Sequence, residues 1–192
     1  MADASCTVQL GFSVTPSPGD IKEAQTFTAG HTGVLVSAQV TVTNSAGSTP
    51  GDWRLEIAAT DGSGLPGTIL AATTVANALG DGQQGAITGS FANPAHVSAG
   101  TLYALLVSRP GSSKYGLAGE GGDPCPGQAY FQNAVGGPFL LYSSVDYGFA
   151  TTVDLGGAAT GARKCKRKKH HKRRHAKCHK KKHHHPLAAS AY

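Results

Sequence analysis

Strict alternation of apolar and polar residues is the feature that most constrains this chain. Cys6, Val8, Leu10, Phe12 and Val14 share one parity, while Thr7, Gln9, Gly11 and Ser13 take the other. Successive side chains of a strand point to opposite faces, so this pattern predicts a half-buried strand. The turn-rich TPSPGD (15–20) ends it. EAQTFTAG (23–30) reads as a second strand, and Val34, Val36, Ala38, Val40 and Val42 form a third apolar face. Trp53, Leu55, Ile57 and Ala59 then alternate with Arg54, Glu56, Ala58 and Thr60. TILAATTV (68–75), AITGSFA (86–92), AYFQ (129–132), FLLY (139–142) and DYGFATTV (146–153) add further strands. TLYALLVSR (101–109) is apolar on both faces, as a central strand should be. DGSGLPG (61–67), ALGDGQQG (78–85) and GLAGEGGDPCPGQ (116–128) read as loops. Roughly ten short strands at regular spacing, without a helical pattern, predict an all-β, antiparallel β-sandwich or barrel.

Charge divides the chain of 192 residues in two. Before Gly161 the only strong bases are Lys22, Arg54, Arg109 and Lys114, and all eleven acids lie there, which leaves that part at −7. From Gly161 onward there are thirteen Lys and Arg and no acid. The strand pattern stops at Gly156, where GGAATGAR (156–163) reads as a flexible linker. The organisation expected is therefore a β domain over 1–155 and a linker with a low-complexity tail over 156–192. An acidic body with a basic arm points to an anionic partner.

No apolar run approaches the ~18–20 residues that a helical membrane span needs. The start, MADASCTVQLGF, has neither a basic nor an apolar leader region, although ADA at 2–4 resembles the small-residue pattern before a cleavage site. A leader missing from the upstream side therefore stays open as a reading. Of the four cysteines, Cys6 and Cys125 lie in the body, Cys165 and Cys178 in the tail. For a secreted protein the natural reading is one bridge from Cys6 to Cys125 and a second in the tail; in a reducing compartment all four would be free thiols. Four cysteines allow three connectivities in any case.

The series AQTFTAG, VSAQVTV, DGSGLPGTILA, ANPAHVSAGTLYALLVS, GQAYFQNA and DYGFATTV resembles bacterial extracellular jelly-roll modules of the choice-of-anchor or carbohydrate-binding-like type. The likeness runs from about Glu23 to Val153, with its best markers in AQTFTAG, in G-x-P-G-x-x-L-A at 64–71 and in AGTLYAL at 99–105. It implies a jelly-roll-like sandwich and a secreted or surface-displayed binding or structural module. It carries over no catalytic residue, since these motifs define strands and turns. The anchor helix that often accompanies such modules has no counterpart in the sequence.

Candidate chemistry in the body is sparse. His31 and His96 both occur in loop-like contexts, and no G-x-S-x-G elbow is present, so an enzyme is not the expectation. Carbohydrate binding would need exposed rings, for which Trp53, Tyr103, Tyr115, Tyr130, Tyr142 and Tyr147 are the candidates. Trp53 lies on the Leu55/Ile57 parity and is expected in the core. Tyr115, in a Gly-rich stretch, is the best candidate for an exposed platform, although a turn tyrosine packed on its own sheet is the reading favoured. GDGQQG around Asp81 and GEGGD at 119–123, with Glu120 and Asp123, offer hard oxygen donors for calcium, without the spacing of a defined calcium loop.

The tail reads RKCKRKKHHKRRHAKCHKKKHHH over 163–185. Its cations are Arg163, Lys164, Lys166, Arg167, Lys168, Lys169, Lys172, Arg173, Arg174, Lys177, Lys180, Lys181 and Lys182. Such a run binds polyanions, including nucleic acid in vitro, without reading sequence, because no aromatic platform occurs before Tyr192. With an extracellular body, the expected partner is an anionic cell-wall or surface polymer. His171, His175, His179 and His183 fall at i, i+4 spacing and would form one metal-binding stripe if the tail were helical, with Cys165, Cys178, His170, His184 and His185 nearby. The surrounding cations oppose a divalent ion, and a solvated charge run is the reading favoured over a metal site. Like charges and little apolar content predict disorder for the free tail, and no cofactor is expected.

Overall fold

The computed structural model describes residues 1–8, 12–14, 21–47, 51–110, 115–132 and 134–156. The chain divides at Thr160 into a body, Met1–Ala159, and a C-terminal unit. That unit lies wholly outside the described residues, and with it every tail cation, the histidine stripe, Cys165 and Cys178.

The body is built of two antiparallel sheets, with no helix among the described residues. One sheet holds β1 (Ala2–Cys6), β2 (Phe12–Val14), β4 (Gly33–Thr43), β7 (Gln84–Val97), β9 (Gly116–Gly121), β12 (Val145–Tyr147) and β13 (Phe149–Asp154). The other runs in the order β11 (Phe139–Leu141), β10 (Ala129–Gln132), β3 (Glu23–Thr28), β8 (Leu102–Ser108), β5 (Trp53–Thr60) and β6 (Pro66–Val75). The chain changes sheet from β3 to β4, from β4 to β5, from β6 to β7 and from β7 to β8. The four-strand orders β1-β13-β4-β7 and β3-β8-β5-β6 that result are those of a jelly roll, a double sheet wound from two Greek keys. β8 is central, flanked by β3 and β5, in keeping with its apolar faces.

The inner faces meet in one core containing Phe27, Leu35, Val42, Trp53, Leu55, Ile57, Leu105 and Val107, each at most 1 % exposed. Burying each such side chain contributes about 1.5–3 kcal/mol. Trp53 lies edge-on to Tyr115 with ring centroids 5.6 Å apart, and the Arg109 guanidinium sits 5.0 Å over the indole. The buried Arg109 also donates to the Gly51 carbonyl at 2.8 Å, which closes this end of the sandwich.

Four details of the sequence reading are corrected here. The β4 face does not keep one parity: Leu35 is buried, then Ala38, Val40 and Val42. A β-bulge between Leu35 and Ser37, opposite β13, inserts one residue and flips the alternation, so Val34 and Val36 are only half-buried. The expected first strand is two strands, since β1 pairs with β13 and β2 pairs with β9. DYGFATTV is likewise two strands, β12 on β9 and β13 on β4, separated by Gly148. A Cβ at Gly148 would meet Val8 Cγ2 at 2.8 Å, so the chain changes partner where only glycine fits. The first half of the expected loop GLAGEGGDPCPGQ is strand β9. Its glycines serve close packing, because a Cβ at Gly119 would lie 3.1 Å from Val145 Cγ1 and 3.2 Å from the Asp146 carbonyl oxygen.

Cys6, at the end of β1, and Cys125, in the loop after β9, form a disulfide with Cα atoms 5.7 Å apart and 119 positions between them in sequence. Closing so long a loop restricts the unfolded chain strongly. Replacing both cysteines by serine should lower the unfolding free energy by about 2–5 kcal/mol in denaturant titration.

Candidate functional site: a neutral groove beside a buried polar seam

Along the outer face of the seven-stranded sheet, β1, β13 and β4 run side by side with Ser5, Ala150 and Gln39 in register. There Gly148 and Ala150 put almost no side chain between β1 and β4. Ser5 and Thr7 stand on one side of this trough, Gln39 and Thr41 on the other, around a volume of about 190 Å³. Among the described residues no charged side chain lines it, although the body as a whole is acidic. Gln39 turns its amide to the Thr88 hydroxyl on β7 at 2.9 Å, extending the uncharged surface across the sheet. The chemistry on offer is hydroxyl and amide hydrogen bonding beside the apolar Val8 and Phe149, which suits a neutral polar ligand.

The aromatic candidates do not form a binding platform. Trp53, Tyr103, Tyr130 and Tyr147 are buried, and Tyr142 is half-buried with its ring edge-on to Phe131. Tyr115, the best candidate for a platform but expected rather to pack on its own sheet, is fully buried: its hydroxyl donates to the carbonyls of Ile21 and Val107, at 2.7 and 3.2 Å. His31 lies in a bend and is tied to Asp3, whose Oδ1 accepts from the His31 backbone N–H at 2.7 Å and faces Nδ1 at 3.1 Å. His96 is not in a loop but in β7, opposite Val34.

Of the loop acids, Asp81 Oδ1 accepts the Gly47 N–H at 2.8 Å and so staples two turns together. Among the described residues no group of three His, Cys, Asp or Glu is arranged to hold a metal ion.

The acids that sequence reasoning missed are internal. Glu23 opens β3, is 0 % exposed and faces the core. Burial pushes its carboxyl well above the ordinary value, and the Tyr147 hydroxyl partly offsets this. The two groups are close enough to act on each other's ionisation, yet the contact falls short of a hydrogen bond, and neither has another partner among the described residues. Beside them Asp146 accepts from Gln25 Nε2 at 2.8 Å and from the Cys125 N–H at 2.9 Å. Gln25 Oε1 accepts the Tyr147 N–H at 2.9 Å. Burial raises Asp146; its hydrogen bonds from Cys125 and Gln25 lower it, and the neighbouring Asp123 raises it again, leaving it above the ordinary range. No motif distinguishes Glu23 or Asp146 from a solvated acid. Only the parity of β3, with Phe27 inward, could have placed Glu23 inside.

Glu56 behaves in the opposite way on the outer face. Burial alone would raise it, but hydrogen bonds and charge from Lys22 and Arg54 outweigh that and hold it below the ordinary value.

No protein-family model matches this chain, and no curated protein matches it in sequence. The solved structures that match include two of one protein. A clostridial cysteine protease, Cwp84, solved after propeptide cleavage, overlays at a TM-score of 0.53 with 13 % identity, covering 78 % of this chain and 39 % of that one. The cysteine protease and lectin-like domains of Cwp84, a surface layer associated protein of Clostridium difficile, overlay at 0.48 with 15 % identity, covering 70 % of this chain and 32 % of that one. This chain thus spans well under half the length of those it matches, and the first overlay supports the β-sandwich architecture.

Because Glu56 is held below its ordinary pKa, the stability it contributes is present above that value and is lost as pH falls through the lowered one. Glu56→Gln should cost about 1 kcal/mol at neutral pH, since Lys22 and Arg54 are part-exposed and screened. The difference from the parent should vanish in acid, as urea titrations across pH would show.

Proposed function

We propose that this chain is a non-enzymatic binding or structural module of a bacterial surface, held to anionic wall or surface polymer by its basic C-terminal segment. The observation that carries the reading is the charge division: thirteen Lys and Arg and no acid after Gly161, attached to a body at −7. A run of that density attracts polyphosphate or polycarboxylate chains with a steep salt dependence and little sequence selectivity. The histidines interleaved in it are read as part of the solvated run. The Cys6–Cys125 disulfide supports an oxidising, extracellular setting. The non-enzymatic reading draws support from the buried state of the two perturbed acids, Glu23 and Asp146, which lie within the core.

A second reading, a carbohydrate-binding module of a larger secreted enzyme, is favoured by one feature. The trough between Ser5/Thr7 and Gln39/Thr41 presents hydroxyl and amide groups without charge, as a neutral sugar unit requires.

Retention on purified bacterial cell wall across a salt series separates the two. Full-length protein should bind at low salt and lose roughly a hundredfold or more of its affinity by physiological salt. A variant lacking 162–192 should not bind. If both forms bind alike with little salt dependence, the tether reading is wrong. In that case Gln39→Ala, an exposed substitution on the trough wall, should weaken the remaining binding.

A further inference from the structure

We propose that Glu23 is a proton-operated joint between the two sheets: while it carries a proton it keeps β3 seated against β12, and when it loses that proton this end of the sandwich opens.

The argument begins with where the carboxyl stands. Glu23 is paired with Val107 in β3–β8 and turned to the inner face, while Tyr147 projects inward from β12 in the other sheet. Their contact therefore spans the interface. Both Glu23 oxygens and the Tyr147 hydroxyl lack a hydrogen-bond partner among the described residues.

The polar groups around them are already engaged. Tyr115 gives its hydroxyl to the Ile21 and Val107 carbonyls. Gln25 bridges Asp146 and the Tyr147 N–H, and the remaining Asp146 oxygen takes the Cys125 N–H. The nearest cations in sequence, Lys22 and Arg54, pair with Glu56 on the outer face. No ion pair reaches Glu23 among the described residues.

A bare carboxylate in such a place is strongly disfavoured, so the group stays protonated until letting water in offsets the loss of hydration. Tyr115 and Tyr147, the titratable groups that face it, are themselves raised by burial first and by Glu23 second, and so supply no compensating charge. The element best placed to yield is β12, three residues long and, among the described residues, paired only with β9.

The sign of the effect is fixed by the chemistry. An acid whose pKa is raised by folding contributes its full stability below the ordinary carboxyl range, and that stability is lost as pH rises toward the raised value. Asp146, with Asp123 beside it, tilts the same way. Variants at Glu23 are therefore needed to separate the two.

The test uses the full chain and amide hydrogen exchange at Val145–Tyr147 from mildly acidic to mildly alkaline pH. In the parent, protection there should fall about tenfold or more beyond the intrinsic pH dependence of exchange, each tenfold matching about one pK unit. Glu23→Gln, neutral at every pH, should remove most of that fall. A protonated-carboxyl infrared band present at neutral pH should also disappear in Glu23→Gln. Tyr147→Phe deletes only the hydroxyl that eases ionisation, so it should extend the loss of protection to higher pH, and it serves if Glu23→Gln does not fold. Equal pH dependence in the parent and Glu23→Gln, or an infrared band unchanged by that substitution, would overturn the proposal. So would a Tyr147→Phe profile identical to the parent's.

Discussion

The fold depends on β4. It is paired along its length with β7 on one side, and on the other with β13 and then, at Val42 and Thr43, with β9. Every buried backbone group there must find a partner, so one uninterrupted strand with two neighbours fixes the register of much of its sheet. The bulge at Val36 lets β4 turn Leu35 inward at one end and Ala38, Val40 and Val42 inward at the other. The trough then arises where Gly148 and Ala150 put almost no side chain between β1 and β4.

Period-two alternation made the architecture legible, because burial of one face is the strongest local signal a strand can carry. It located β3, β5 and β8 to within a residue or two, and it put Trp53 in the core. It failed where the cause is not local. The bulge in β4 is set by pairing with β13, and the break at Gly148 by the approach of Val8, two residues past β1. In β9 glycine signals contact, since Gly119 lies under Val145 and the Asp146 backbone. Tyr115, just before that strand, packs its ring edge-on against Trp53. The trough was illegible for the same reason, since Ser5, Gln39 and Ala150 are brought together by ladders between distant strands.

The acids show how little formal charge says about a folded surface. Of the eleven, Glu23 faces the core without an ionic partner, Asp146 is buried under two hydrogen bonds, and Glu56 is covered by two cations. Asp3 is held by His31 and the neighbouring backbone. A body at −7 therefore presents a weaker field than its composition implies. The polar seam of Glu23, Gln25, Asp146 and Tyr147 instead ties β3 to β12 across the two sheets. Such groups commonly fix which arrangement a core adopts at some cost in stability.

A neutral trough and a cationic tail, taken as parts of one binder, divide two tasks that are hard to combine in one site. Attraction to a polyanion is strong and long-ranged but selects poorly among anions, and salt weakens it. A small uncharged trough selects by hydrogen-bond geometry, but its area is too small for high affinity. Joining them through a short Gly/Ala linker makes the second contact intramolecular once the first has formed. The trough then meets its ligand at an effective concentration set by linker length. If the tail tethers the module as proposed, a weak trough would suffice, because the module would be held where the ligand is dense. Salt should then release both contacts together, although only one of them is electrostatic.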